Sequence, residues 1–285
     1  MATTCTYSEP KVSNLKIRTI LFSLLVGFAL GQTDEVTADS STTEIKVAAY
    51  NVEVSRNATA EQIGEALKGY DFDVVAFSEA PGGDWTKRVG KVLGLDYVIV
   101  GKYSTAGHDD KYKSLVSRTP LYDYEEILMA DTLHTATRAK TKIDEHEIAL
   151  YSVHFPFGWR DQAHIDETTG KITAFVRHLK EKQSQEISVV MGDFNFIPSH
   201  ADYQSQYYEM FVDIGLDVSW KELGIDVTKR NTHNAFKPED EGSGKVIDHI
   251  MYNPRKLSAT RGQIIEMKKP LSDHKPVWAS LQLRR

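Results

Sequence analysis

Cysteine is almost absent from this sequence, because the 285 residues include only Cys5. One thiol cannot form an intramolecular disulfide, and a thiolate zinc site needs several cysteines close together. Cys5 also lies upstream of the part of the sequence with a globular pattern. The sequence therefore excludes a disulfide framework, a cysteine metal site and a cysteine nucleophile from that part.

The sequence also lacks a long hydrophobic run. Its apolar stretch at residues 20–30 is shorter than the roughly 20 residues that span a bilayer. This stretch follows basic Lys16 and Arg18 and ends in small residues, which is the layout of a secretory signal. We predict a signal peptide over residues 1–31 and a secreted or periplasmic protein, with an uncleaved membrane anchor as the alternative. The Thr- and Ser-rich residues 32–43 predict a solvated linker.

An excess of basic residues is missing as well. The chain has 34 basic and 40 acidic residues, a net charge of −6. Three of the basic residues and one acidic residue lie in the predicted signal peptide, so the remainder has a net charge of −8. This balance argues against tight binding of nucleic acid unless a local basic patch overrides it.

Short β-branched and aromatic segments, bounded by Gly, Pro, Asp and Ser, dominate the rest of the sequence and are typical of β-strands. The predicted strands are residues 45–52, 73–78, 96–100, 113–117, 126–129, 136–143, 147–155, 187–192, 246–252, 262–267 and 276–283. Apolar residues at helical spacing and helix-end signals predict helices at 58–70, 84–93, 171–182 and around 199–213. Without an internal repeat or interior linker, residues 44–285 are predicted to form one α/β domain. We expect a four-layered α/β/β/α sandwich of two mainly antiparallel sheets flanked by helices.

Polar side chains collect where these apolar segments begin or end. They are Asn51, Glu79, His154, Asp193, Asn195, Asp248, His249, Asp273 and His274. Each has an ordinary structural explanation by itself, such as a turn, a solvated strand end or a buried histidine. In "GDFN" (192–195), the alternation of an extended chain puts Asp193 and Asn195 on one face and Phe194 on the other.

The order and contexts of these residues resemble the endonuclease/exonuclease/phosphatase superfamily. The resemblance rests on an Asn, then "DVVAFSE", a His, "GDFN", "IDH" and finally "SDH", and it covers residues 45–284. Deoxyribonuclease I-like nucleases, exonuclease III-like repair enzymes, neutral sphingomyelinases and inositol polyphosphate 5-phosphatases belong to this superfamily. The resemblance implies a metal-dependent phosphoesterase.

The resemblance implies which residues hold the metal. Glu79 resembles the main metal ligand, and Asn51 and Asp273 are expected to complete or orient its shell. Carboxylate and carbonyl oxygens suit a hard cation that keeps several waters. We therefore expect Mg²⁺, or Mn²⁺, as the cofactor.

The resemblance also implies a catalytic set. His274 resembles the general base or phosphate-positioning imidazole, held in one tautomer by Asp248. Asp193 and Asn195 are expected to orient the attacking water and a non-bridging phosphate oxygen. His154 is expected to stabilise or protonate the leaving oxygen, and a histidine here is similar to the deoxyribonuclease- and sphingomyelinase-like branches.

Two features qualify this catalytic set. The glutamate that pairs with the leaving-group histidine in deoxyribonucleases is not found, and Asp109 and Asp110 are the candidate substitutes. His249 follows Asp248 in the same predicted strand and faces the other way by alternation. We expect His249 to lie in the core.

Three further residues are candidates for contact with the substrate. Arg118 and Arg138 match positions where family members carry arginines near the substrate, and Thr232 is expected to line the site. Arg138, Lys140 and Lys142 also alternate onto one face, which by itself favours a solvated edge strand.

The sequence thus predicts a secreted, metal-dependent hydrolase that cleaves phosphoester bonds by in-line attack of an activated water. A deoxyribonuclease I-like nuclease and a sphingomyelinase-like phospholipase C share the same catalytic set and are the alternatives. A non-catalytic binding protein is disfavoured because each core position carries a chemically competent residue. The expected partner is a phosphate ester, whether nucleic acid, phospholipid headgroup or small molecule, and we expect a monomer without an obligate protein partner.

Overall fold

The computed structural model describes residues 43–131, 133–157, 161–197, 203–237, 239 and 242–284. The predicted signal peptide (1–31) and residues 32–42 of the predicted linker lie outside the described residues. Within these ranges, no helix has both the length and the apolar character needed to cross a membrane.

The described residues form strands and helices that we number in chain order. The strands are β1 (Glu44–Asn51), β2 (Val74–Ala80), β3 (Tyr97–Val100), β4 (Tyr112–Ser117), β5 (Tyr122–Leu128), β6 (Thr135–Ile143), β7 (His146–His154), β8 (Ile187–Asp193), β9 (Asp217–Val218), β10 (Asp248–Tyr252), β11 (Leu257–Ile264) and β12 (Val277–Leu283). The helices are α1 (Ala60–Lys68), α2 (Trp85–Leu93), α3 (Gln162–Lys182), α4 (Tyr203–Val212) and α5 (Ser219–Glu222), and short 3₁₀ turns occur at Glu53–Ser55, Thr105–Gly107 and Val227–Lys229.

The strands assemble into two sheets. In the described residues each sheet has six strands, in the orders β11-β12-β1-β2-β4-β3 and β5-β6-β7-β8-β10-β9. Neighbouring strands run antiparallel except for the pairs β1 with β2 and β7 with β8, which are parallel. The two sheets are therefore mixed but mainly antiparallel, as the sequence predicts.

The first sheet buries both of its faces. Val47 and Ala49 of β1 join the cluster of apolar side chains that lies between the sheets. Ala48 and Tyr50 belong instead to a second cluster with residues of α1 and α2. This alternation along β1 places the second sheet on one side and helices on the other.

The second sheet is covered in the same way. The Tyr151 ring of β7 packs against Phe175 of α3 with centroids 5.9 Å apart. The next residue, Ser152, points to the opposite face and donates a hydrogen bond to the carbonyl oxygen of Phe77 in β2, at 3.0 Å. Helices thus flank two packed sheets, which confirms the predicted four-layered sandwich.

Two predictions about individual elements were wrong. Helix α3 begins at Gln162 rather than at residue 171, because the Asp161 side chain caps it by accepting a hydrogen bond from the His164 N–H. Strand β6 lies between β5 and β7 and is not an edge strand. Two of its basic side chains form ion pairs with carboxylates, Arg138 with Glu186 and Lys140 with Asp123, whereas Lys142 is exposed.

Candidate active site

The site forms where the carboxyl ends of both parallel strand pairs meet. Asn51 ends β1, and His154 and Asp193 end the neighbouring strands β7 and β8. The Asn51 amide nitrogen donates to Asp193 Oδ2 at 2.9 Å, and this hydrogen bond joins the two sheets. The structure therefore brings these three predicted residues together, as expected for the carboxyl ends of strands.

Glu79 reaches the site through an irregularity in β2. The register between β2 and β4 shifts between Phe77 and Ala80, so that two residues of β2 stand opposite one residue of β4. Glu79 also has a φ of +50°, which is unusual for a residue with a side chain. A β-bulge of this kind redirects a side chain, and the Glu79 carboxylate lines the pocket instead of packing under α2.

Gly192 sets the contact between β7 and β8 just before Asp193. Its φ is +146°, and a Cβ atom there would lie 2.1 Å from the Val153 carbonyl oxygen. Only glycine fits this position. Its close packing keeps His154 directly opposite Asp193 in the parallel register.

Asp193 is a buried carboxylate with two fixed oxygens. The Asn195 backbone N–H donates to Oδ1 at 2.9 Å, and Asn51 donates to Oδ2 at 2.9 Å. Burial and the charge of Asp248 raise the pKa of Asp193 to about 7, although His274 opposes the shift. Such a pKa suits a group that exchanges a proton near neutral pH.

Asn195 lies on the pocket side while Phe194 and Phe196 are buried on the other side, as predicted. The chain is not extended throughout, since β8 ends at Asp193 and Asn195 has a φ of +52°. The Asn195 amide nitrogen donates to the Phe155 carbonyl oxygen at 2.8 Å. Asn195 therefore holds Asp193 in place through its backbone and ties the end of β7 through its side chain.

His274 and Asp248 form a buried pair. Nδ1 of His274 lies 2.9 Å from Asp248 Oδ2, and Nε2 lies 3.7 Å from Asp193 Oδ2. Burial alone would lower the pKa of His274, but the two carboxylates outweigh it and raise the pKa to about 10. The imidazole is therefore positively charged in this arrangement, and its Nε2 faces the pocket beside Asp193.

Thr232 lies beside the site rather than in the pocket wall. Its hydroxyl oxygen accepts hydrogen bonds from the backbone N–H groups of Ile247 and Asp248, at 3.0 and 3.2 Å. Its side chain is fully buried, and the pocket lining does not include it. Thr232 fixes the start of β10, and with it Asp248, so its predicted place in the substrate wall was wrong.

His154 lies between two carboxylates. Its Nε2 is 3.6 Å from Glu79 Oε1 and 3.5 Å from Asp193 Oδ2. Burial lowers the pKa of His154 to about 4, although Glu79 opposes the shift, so the ring is neutral. Among the described residues, its buried Nδ1 has no hydrogen-bond partner. Asp109 and Asp110 are exposed, and neither one pairs with it, so the predicted substitution for the missing glutamate was wrong.

Both predicted arginines lie away from the site. Arg118 pairs with Asp71 and Asp73, which precede β2 at the end opposite Glu79. Arg138 is buried against Glu186, at 2.7 Å, and its Nε donates to the Tyr151 hydroxyl on the α3 side of the sheet. These contacts satisfy both guanidinium groups structurally, so neither arginine is positioned to touch a substrate in the pocket.

His249 is a core residue, as predicted from strand alternation. It is fully buried, and its Nδ1 accepts a hydrogen bond from the Trp220 indole N–H at 3.2 Å. Its Nε2 lies 3.1 Å from the Phe196 carbonyl oxygen and must therefore carry the proton. Burial lowers the pKa of His249 to about 4, so the ring is neutral.

Lys111 and His233 also line the pocket but are not marked by any sequence motif. The Nζ atom of Lys111 lies 2.8 Å from Glu79 Oε2. Burial tends to raise the pKa of Glu79, but the adjacent His154 imidazole and the Lys111 ammonium lower it below its usual value. His233 packs edge-on against His274 with ring centroids 5.0 Å apart. Both residues come from loops, and a strand-end pattern cannot reveal them.

These side chains surround a pocket of about 390 Å³. Its lining includes the histidines His108, His134, His154, His164, His233 and His274, the lysines Lys111 and Lys171, and the acidic residues Glu79, Glu167, Asp193 and Asp273. The wall also includes the apolar residues Ala106, Phe155, Pro156 and Phe157. A ligand of this pocket therefore meets charged and polar groups together with an apolar surface.

Two groups among the described residues have the composition and spacing of a metal site. They are Asp193, Asp248 and His274, and His233, Asp273 and His274, with ligand atoms within 4.8 Å of one another. Glu79 belongs to neither group, and its close ion-pair partner is Lys111. The amide oxygen of Asn51 accepts from the Glu53 backbone N–H at 3.1 Å, while its nitrogen faces Asp193. Asn51 thus orients a carboxylate in this arrangement.

Solved structures share this fold at low sequence identity. An endonuclease/exonuclease/phosphatase from Beutenbergia cavernae has a TM-score of 0.72 and 16% identity, covering 85% of this chain and 72% of that one. The 3′ phosphatase NExo from Neisseria, bound to a product DNA hairpin, has a TM-score of 0.66 and 18% identity, covering 82% and 98%. D. rerio TDP2 complexed with a single-strand DNA product has a TM-score of 0.63 and 16% identity, covering 84% and 99%.

Sequence comparison identifies the family. No curated protein sequence matches the chain significantly. The model of the Endonuclease/Exonuclease/phosphatase family matches residues 48–274, which include every residue from Asn51 to His274 that we place in the site. Members of this family are phosphoesterase hydrolases. The chain belongs to the Endonuclease/Exonuclease/phosphatase family.

Proposed function

We propose that this protein is a divalent-metal-dependent phosphoesterase that hydrolyses its substrate by in-line attack of water on phosphorus. One observation carries the proposal. The buried carboxylate of Asp193 lies within 3.7 Å of the Nε2 atoms of His154 and His274 and is hydrogen-bonded to Asn51. A base, a charged donor and a second imidazole therefore face one small volume, as phosphoryl transfer to water requires.

The metal would be held at the Glu79 side of this volume. Glu79 and Asp273 supply carboxylate oxygens to the pocket, and a pocket with hard oxygen donors fits Mg²⁺ or Mn²⁺. Such a cation, when bound, neutralises charge that develops on the phosphate oxygens. Lys111 is the counter-ion of Glu79 in this structure. Asn51 keeps Asp193 aligned through its hydrogen bond to Oδ2.

Asp193 and His274 have complementary tasks in this proposal. Asp193 accepts a proton from the attacking water, because its pKa of about 7 leaves it partly ionised and basic at neutral pH. His274 keeps its proton under the influence of Asp248 and donates through Nε2 to a non-bridging phosphate oxygen. Asn195 maintains the orientation of Asp193 through its backbone N–H.

His154 serves the leaving oxygen. Its Nε2 faces Glu79 and Asp193, so an N–H at that nitrogen is directed into the reaction volume. Because the ring is neutral, it stabilises the departing oxygen by hydrogen bonding rather than as a charged acid. Within the described part of the chain, no glutamate or other group is hydrogen-bonded to Nδ1 of His154.

The substrate class is open among three candidates that share this chemistry. Nucleic acid has specific support, because two proteins of the same fold, NExo and TDP2, were solved with DNA products. The net charge of −8 outside residues 1–31 opposes binding of a long polyanion and favours a compact phosphoester. Phospholipid headgroups are the third candidate.

We further propose export of the protein, on the basis of the signal-like residues 1–31.

The test is hydrolysis of a chromogenic phosphodiester and of plasmid DNA, sphingomyelin, phosphatidylinositol lipids and sugar phosphates, with Mg²⁺ or Mn²⁺ and with a chelator. We expect turnover that the chelator abolishes.

Asp193→Asn should lower kcat at least roughly a hundredfold. The matched control is Asp71→Asn, because Asp71 is exposed, has a φ of +52° that asparagine tolerates and pairs with Arg118 far from the pocket. Absence of turnover with every substrate and metal would instead support a non-catalytic binding protein.

A further inference from the structure

A cluster of two imidazoles and one carboxylate lies on the His274 side of the pocket. Candidate ligand atoms of His233, Asp273 and His274 lie within 4.8 Å of one another. Nε2 of His233 is 4.0 Å from Asp273 Oδ2, and the two imidazole rings are 5.0 Å apart. All three side chains line the pocket, so the cluster is accessible to a small solute.

The backbone holds this cluster in a fixed register. His233 and His274 face each other in an isolated antiparallel β-bridge. On either side of the bridge, the Lys275 N–H donates to the Thr232 carbonyl oxygen at 2.7 Å, and the Ala235 N–H donates to the Asp273 carbonyl oxygen at 2.8 Å. Residues that face each other across such a pair project to the same side with Cβ atoms about 5 Å apart. The juxtaposition of the two imidazoles therefore follows from the main chain.

His274 is oriented for a ligand at Nε2. Its Nδ1 is engaged by Asp248 at 2.9 Å, which leaves Nε2 as the atom that faces the pocket. The residue is only 6% exposed, and Asp193 Oδ2, at 3.7 Å from Nε2, is beyond hydrogen-bonding distance. A carboxylate behind an imidazole, with the other ring nitrogen aimed at an open position, is the outer-shell arrangement common to metal-binding histidines.

We propose that His233, Asp273 and His274 form a second divalent-cation site, selective for a borderline ion such as Zn²⁺ over Mg²⁺. Two imidazole nitrogens and one carboxylate oxygen leave coordination positions open for water, which is the composition of an open zinc-type site. Imidazole-rich sets favour Zn²⁺, whereas Mg²⁺ prefers oxygen ligands. The new site shares Asp273 with the proposed magnesium position and differs from it by using His233.

Occupancy of this site affects the reaction, and this part of the inference rests on the proposed function. A Zn²⁺ ion on Nε2 of His274 would occupy the position from which, in the proposed function, this nitrogen contacts the substrate phosphate. Zn²⁺ is therefore expected to inhibit hydrolysis supported by Mg²⁺, at the concentration that fills the cluster.

The first experiment measures binding alone. The full chain, stripped with a chelator, is titrated with Zn²⁺ by calorimetry, and Co²⁺ is added to the wild type to record its visible spectrum. We expect one Zn²⁺ site with at least tenfold weaker binding in His233→Ala, and a Co²⁺ spectrum that indicates nitrogen ligands. His233 is 36% exposed, so the substitution should not unfold the protein. The matched control is His164→Ala, a pocket histidine outside the cluster, which should bind Zn²⁺ as the wild type does.

Two outcomes would overturn the site. One is equal Zn²⁺ affinity and stoichiometry in the wild type and in His233→Ala, and the other is an equal loss of affinity in His164→Ala. Glu79→Gln should keep the Zn²⁺ site, because Glu79 is not part of the cluster. In the second experiment, inhibition by Zn²⁺ should require at least tenfold more ion in His233→Ala. Zn²⁺ binding through His233 without inhibition would support the site and contradict the proposed role of His274.

Discussion

Nδ1 of His274 lies 2.9 Å from Oδ2 of Asp248, and both side chains are buried at the junction of the two sheets. The other oxygen of Asp248 is buried, and within the described part of the chain it has no hydrogen-bond partner. A buried carboxylate that makes so few contacts costs stability. Asp248 therefore contributes through His274, because it fixes the charge and the orientation of that imidazole.

Replacing Asp248 by asparagine tests this relationship. The carboxamide keeps the shape but removes the charge that keeps His274 protonated. We expect kcat to fall by roughly a hundredfold with a smaller change in KM, because the charged donor is needed most in the transition state. Steady-state kinetics and circular dichroism of the variant are the measurements. Wild-type kcat in a folded variant would contradict the assigned pair.

Lys111 should compete with the metal for Glu79. Because the ammonium lies 2.8 Å from Glu79 Oε2, a cation must displace it. The pair is partly exposed and worth about 1 kcal/mol or less, so Lys111→Met should tighten Mg²⁺ binding up to roughly fivefold. Titration calorimetry without substrate measures this affinity. Lys91→Met, on the exposed surface of α2, is the control and should bind like the wild type. Weaker Mg²⁺ binding by Lys111→Met would show that the lysine assists the metal.

Arg138 should matter for stability and not for catalysis. Arg138→Met leaves the buried carboxylate of Glu186 without its cation, and breaking such a pair costs about 3–5 kcal/mol. Urea unfolding is expected to show this loss, with kcat per folded molecule unchanged. Arg118→Ala is the comparison, because its ion pairs are partly exposed and should contribute about 1 kcal/mol or less. A hundredfold loss of kcat in either variant would show that the substituted arginine takes part in catalysis.

His249 should make the protein sensitive to acid. Its pKa is about 4 in the folded protein and about 6.5 in the unfolded chain. As the pH falls from 6.5 towards 4, the unfolded chain takes up a proton before the folded protein does. Stability is therefore lost across this window by up to on the order of 3 kcal/mol, and nothing is lost above it.

The measurement is the free energy of unfolding in urea at pH 7 and pH 5 for the wild type and for His249→Gln. Glutamine removes the titrating group, so the variant should lose less stability between these two pH values than the wild type does. It should also keep kcat, since His249 packs with Trp220 and Phe196 outside the pocket. Equal losses in both proteins would contradict the assigned burial effect.

Much of the fold could be predicted because it depends on local periodicity. Alternation in "GDFN" correctly separated Asp193 from Phe194, and the same alternation placed His249 in the core. The strand-end residues Asn51, His154 and Asp193 converge because neighbouring parallel strands end at the same edge of their sheet, and these edges of the two sheets meet. These features need only the strand pattern and its packing, which the sequence encodes over a few residues at a time.

Predictions that relied on a match of single positions were less successful. Arg118 and Arg138 were expected near the substrate, but both lie next to carboxylates elsewhere in the fold. An arginine carries the same charge whether it binds a substrate or an internal carboxylate. Only the position of the partner, which lies far away in the chain, distinguishes the two roles.

The sequence by itself determined the layered architecture and the set of polar residues available at the strand ends, because period-two and helical patterns are local properties. The tertiary structure decided which of these residues face one another. The bulge that turns Glu79 into the pocket, the Lys111 ion pair and the register of His233 against His274 all depend on contacts between distant segments. Such contacts form only when whole sheets pack, so no local pattern in the chain specifies them.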